Sequence, residues 1–234
     1  MMQTGKSLLW LILFLSIALS VSTCVKKADV ESARTWNKQG IQQLNQRRYA
    51  EAVQSFRKAI EVDPKYVRAY VNLGIALHGA GDRDEAVQQL NKALELQPDL
   101  LTAHYMVGTI YKMQNNVDAA IRHFKAVLAH DPNDDYSHYH LGTLYAKVGD
   151  SAKAIEEYRK VVEMDPNNAA AHYNLGQELL RSGQTEQGEK ELEIFRKLQG
   201  AAADTSSGYA QGYAAGYAEG YLAQGRYSTP LSGK

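Results

Sequence analysis

Apolar residues between positions 135 and 166 fall at helical spacing. Tyr136, Tyr139, Leu141, Leu144 and Tyr145 keep this spacing, and Gly149 interrupts the run. Ala154, Ile155, Tyr158, Val161 and Val162 then resume the period as far as Asp165-Pro166. A stripe with this period is the buried face of a helix, and proline cannot continue one. The stretch therefore predicts two helices joined at the glycine and closed at the proline.

Nearly the same pattern recurs on both sides. Pro64, Pro98, Pro132 and Pro166 stand 34 residues apart, and Gly40, Gly74, Gly108, Gly142 and Gly176 keep the interval. Ala52, Ala86, Ala120 and Ala154 hold it as well. Small residues at fixed places in both helices let the two backbones approach where larger side chains would collide. On this reading Gly142→Leu overpacks the contact, at a cost of about 1 to 3 kcal/mol.

Spacing, small-residue positions and terminal proline together resemble the tetratricopeptide repeat. In that family's numbering the first unit begins at Ala33 and shows Trp36, Gly40, Ala52, Phe56, Ala59 and Pro64. The fourth shows Leu141, Gly142, Tyr145, Ala154, Tyr158 and Pro166. The fifth keeps Leu175, Gly176 and Leu179 but has Gly188 in place of alanine and Gly200 in place of proline, as expected of a worn terminal cap. The resemblance implies an all-α, right-handed solenoid of about five helix-turn-helix repeats, 33–66, 67–100, 101–134, 135–168 and 169–202. Each unit of such a stack buries its stripe against its neighbours.

The chain has 234 residues, 26 basic and 26 acidic side chains and 44% hydrophobic content. A neutral balance of this kind gives no footing for nucleic acid. Lys6 precedes an apolar run from Leu8 to Val21, broken only by Ser16 and Ser20. A membrane-spanning helix needs about 20 such residues, so the run suits the core of an export signal, residues 1–23. Behind it, Val21-Ser22-Thr23-Cys24 resembles a bacterial lipobox, with Thr23 where that motif usually has Gly, Ala or Ser. The resemblance implies lipidation at Cys24, the single cysteine, with residues 24–32 as a tether. Two alternatives stay open. Cleavage at Ala18-Leu19-Ser20 would release a soluble protein, and an uncleaved segment flanked by Lys26 and Lys27 would anchor one.

The repeat family lines its groove with the first helix of each unit, through positions 2, 5, 6, 9, 12 and 13. Carried onto this chain, the resemblance assigns partner binding to Asn72, Tyr105, Thr109, Tyr139, His140, Thr143, Tyr173, Asn174 and Gln177, an aromatic and neutral-polar surface. Asn72 and Asn174 would hold a peptide backbone through their amides. The tyrosines would supply area at low entropic cost or, on the competing reading, pack on the next repeat. The clamp by which some relatives grip acidic chaperone tails needs cations where this chain has Asn37, Ile41, Asn72, Thr102 and Met106. That ligand is set aside.

Chemistry is otherwise sparse. His104, His138 and His172 share one position in successive units, too far apart for one zinc ion, and read as aromatic spacers. No phosphate loop, nucleophile elbow or zinc signature occurs, so neither metal, cofactor nor catalysis is expected. Residues 203–234 carry Gly208, Gly212, Gly216 and Gly220, each followed by tyrosine. A helix with that period would present a glycine groove for helix-helix contact, formed only on docking because isolated glycines disfavour it.

The expected function is a non-catalytic scaffold, lipid-anchored on the periplasmic side of a bacterial membrane, that binds peptide or protein partners during envelope assembly. The alternatives are a cytoplasm-facing, signal-anchored adaptor, the substrate-recognition subunit of an enzyme complex, and an envelope protein adhering through its tail.

Overall fold

The computed structural model describes residues 30–204, in which all regular structure is helical. The expected export segment, Cys24, most of the expected tether and the tail from residue 205 lie outside the described residues. None of the helices described is long and apolar enough to cross a membrane.

The helices are α1 (30–45), α2 (Tyr49–Val62), α3 (Val67–Ala80), α4 (Arg83–Leu96), α5 (Leu101–Met113), α6 (Val117–His130), α7 (Asp135–Lys147), α8 (Ser151–Met164), α9 (Ala169–Arg181) and α10 (Thr185–Asp204). They pair as the repeat predicts, into helix-turn-helix hairpins. The described residues fall into two compact units, 30–98 with α1 to α4 and 99–204 with α5 to α10.

Local causes of each boundary are visible. The residue before proline is pushed out of the helical region, and Asp63, Gln97, Asp131 and Asp165 accordingly adopt extended ψ values near 90°. Position 15 turns each hairpin with a left-handed residue: Arg47, Gly81, Asn115, Gly149 and Gly183 all have positive φ. In the second unit the side chains of Asn116, Asp134, Asp150 and Asn168 accept from backbone N–H groups of α6, α7, α8 and α9, which would otherwise lack partners.

The glycine at position 8 meets the side chain at position 24 of its own hairpin. A Cβ on Gly40 would lie 2.5 Å from Phe56, on Gly74 2.6 Å from Leu90, on Gly142 2.7 Å from Tyr158 and on Gly176 2.8 Å from Leu192. The alanines at position 20 are fully buried beside them. Each hairpin is thus closed by a large side chain seated on bare backbone.

The fifth hairpin has a local reason for glycine where the other units have alanine. A Cβ on Gly188 would come within 2.9 Å of the Gly176 carbonyl oxygen, so α9 and α10 approach too closely there for the usual alanine. With Gly200 in place of proline, nothing stops α10 at position 32, and it runs 20 residues to Asp204, beyond the repeat boundary expected at 202.

Candidate functional site

Positions 5 and 6 of the first helices do not simply face solvent. His140 Nε2 lies 3.1 Å from Tyr105 Oη, and Asn174 Nδ2 donates to Tyr139 Oη at 3.0 Å. In the other unit Asn72 Nδ2 donates to Asn37 Oδ1 at 2.9 Å. Each bond joins position 6 of one repeat to position 5 of the repeat before it. Asn72 and Asn174 therefore spend an amide donor on stacking, where the resemblance implied peptide contact.

Tyr105 is fully buried, enclosed by Phe124 at a ring distance of 5.7 Å and by His140 at the same distance. Burial drives its hydroxyl pKa well above the usual phenol value. It supports the groove from beneath and is withdrawn from the surface assigned to it. Tyr139 is half-buried. Tyr173, 43% exposed with its ring 5.1 Å from Phe195, remains available to a partner.

Thr109 and Thr143 return their hydroxyls to the carbonyls of Tyr105 and Tyr139, at 3.0 and 2.9 Å. Of the assigned residues, Tyr139, His140, Thr143, Tyr173, Asn174 and Gln177 line one groove of about 560 Å³ in the second unit. Tyr105 and Thr109 lie outside its lining, and Asn72 belongs to the first unit.

The same groove takes Lys112, Glu178 and Arg181, which makes it charged where a neutral-polar surface was expected. Lys112 stands at position 12 and Arg181 at position 13, both inward positions of the family, so the signal was present in the sequence. Glu178 is 4% exposed, held by Arg181 Nη1 at 2.9 Å and by the Ser151 hydroxyl at 2.7 Å. Lys112 Nζ donates to His140 Nδ1 at 2.9 Å. A neutral imidazole that accepts at Nδ1 carries its proton at Nε2, so the chain continues as His140 donating to Tyr105. Burial, reinforced by Lys112, holds His140 well below the usual histidine pKa.

The recurrent histidines also do more than fill space. His138 Nδ1 lies 2.5 Å from Glu157 Oε2, and Nε2 lies 3.0 Å from the Pro132 carbonyl. His172 repeats both contacts with Glu191, at 2.6 Å, and Pro166, at 3.0 Å. Each ring ties its hairpin to the turn before it. In the third repeat the partner is instead His123, Nδ1 to Nδ1 at 3.1 Å. Burial, with His104 and Arg122 adding, pushes His123 down to about 4. No group of three or more His, Cys, Asp or Glu among the described residues could hold a metal ion.

A family model described as tetratricopeptide repeat matches residues 37–100, and one described as TPR repeat matches 108–149 and 149–183. No curated protein matches significantly. Among solved structures, a crystal structure of MamA protein superimposes with a TM-score of 0.69 at 22% identity, over 77% of this chain and 98% of the other. MamA 41-end from Desulfovibrio magneticus RS-1 gives 0.67 at 25% identity, over 75% and 98%. These likenesses speak to the fold.

Proposed function

We propose that this chain, which belongs to the tetratricopeptide-repeat family and is a scaffold for protein–protein interaction, acts without catalysis on the outer face of a bacterial membrane. Cys24 carries the lipid anchor, and the groove of the second unit holds a polypeptide partner during assembly of an envelope complex.

The observation that carries the reading is the groove itself. Three successive first helices, α5, α7 and α9, contribute to one trough with the exposed Tyr173, the half-buried Tyr139 and two cations around it. A ring with a polar tip supplies contact area at little entropic cost, as suits a surface made for another chain. The anchor rests on the lipobox-like run ending at Cys24. Several acyl chains hold a membrane stably, where one holds it marginally.

A photoreactive residue replacing Tyr173 tests the groove, because that side chain is exposed and its loss leaves the stacking bonds intact. Crosslinking in intact cells is expected to trap a defined envelope protein, and crosslinks scattered over unrelated proteins would refute the groove. Labelling with radioactive palmitate tests the anchor separately: incorporation is expected in the native chain and not in Cys24→Ser.

A further inference from the structure

Lys112 is the group in the groove whose charge the fold does not answer. An ammonium has three donors, and one is used on His140 Nδ1. The other charge that bears on it is a second cation, Lys147, and no carboxylate among the described residues pairs with it. Burial holds its pKa below the usual lysine value, and Lys147 lowers it further. Burying a charge without a counter-charge is costly. The contrast with Arg181 is direct, because that cation is already matched by Glu178 in the same trough.

We infer that Lys112 is the anion-recognition point of the groove, where an aspartate or glutamate side chain within a partner's peptide segment pairs with the ammonium while Tyr139 and Tyr173 cover its neighbours. The inference rests on the groove reading above and adds the chemistry of the occupant. A lone ammonium is a point charge with two donors to spare, which suits one side-chain carboxylate. Capture of a terminal carboxylate favours the fork of an arginine or a nest of backbone N–H groups, and the lining supplies neither unpaired.

The test uses the full chain purified in detergent and a library of random twelve-residue peptides whose C-termini are fused to the display protein. Selection runs in parallel on the native chain, Lys112→Gln and Lys112→Arg, with thermal midpoints recorded for all three. Peptides enriched in Asp or Glu are expected from the native chain and Lys112→Arg, without enrichment from Lys112→Gln. A selected peptide, resynthesised with both ends blocked, is expected to bind Lys112→Gln about 10-fold or more weakly. Changing its acidic residue to the amide should cost the native chain the same factor, a measurement that stands even where a Lys112 variant is unstable.

Binders without acidic enrichment, or binding indifferent to both changes, overturn the inference and leave the groove reading intact. Failure to select any binder that competes at Tyr173 overturns the groove reading itself. Binders recovered only after removal of residues 205–234 assign the groove to the chain's own tail and overturn an external partner.

Discussion

His138 bridges Glu157 and Pro132, its two ring nitrogens 2.5 Å from a carboxylate oxygen and 3.0 Å from a carbonyl oxygen. Both neighbours are acceptors, so the ring satisfies both only as the doubly protonated imidazolium. Burial acts to lower its pKa, but the hydrogen bonds to Glu157 and to the Pro132 carbonyl, with the charge of Glu157, outweigh burial and the opposing Lys160 and hold it above the usual value.

A histidine whose pKa is raised on folding contributes stability that is complete below its unfolded value and is lost as pH rises through the folded one. The native chain is therefore expected to exceed His138→Gln in thermal midpoint most clearly below the ordinary histidine value of about 6.5, the gap closing as pH rises above it through the folded value. Melting both proteins across that range checks it. A gap that stays constant would mean that the ring holds its partners by shape alone.

Gly142→Ala is expected to destabilise by about 1 to 3 kcal/mol, although alanine in an open helix position would gain about 1. The new methyl would stand 2.7 Å from a ring atom of Tyr158, which is 2% exposed and cannot swing clear. Gly108→Ala should lose less, because its nearest atoms lie 3.2 Å away. Urea unfolding of the two variants gives the order.

Gly149→Ala tests a different cause. Nothing lies within 4 Å of a Cβ at that position, but φ is +81°, a left-handed conformation that a side chain disfavours by about 1 to 2 kcal/mol. A loss of that size with an unchanged denaturant slope is expected. No loss would show that the turn can adopt another conformation at no cost.

Asn174 and Tyr139 are expected to act as a pair. Asn174→Ala and Tyr139→Phe each remove the 3.0 Å bond between α9 and α7, and each should cost about 1 kcal/mol. The double variant should cost less than the two losses added, since the second change finds nothing left to break. Strict additivity in a double-mutant cycle would show that the two groups are not coupled.

Much of this molecule is legible in one dimension. A 34-residue period, a proline that halts each second helix and a glycine beneath each large position-24 side chain all act within a single hairpin. Helix boundaries, the small-residue contacts and the all-α class follow from them because those forces operate between near neighbours in the chain. The extension of α10 through Gly200 obeys the same rule, a missing proline being a local fact.

The groove's character arises otherwise. Tyr105 and Tyr173 occupy the same repeat position, yet one is fully buried and the other 43% exposed, because His140 and Phe124 close over the first. Lys112 and Arg181 are both cations at inward positions, yet only the arginine meets a carboxylate among the described residues. Hydrogen bonds between repeats link residues 35 positions apart, and burial and charge depend on which side chains the stacking brings to that depth. Periodicity could therefore locate the hairpins, while the surface offered to a partner had to await the packing of one repeat on the next.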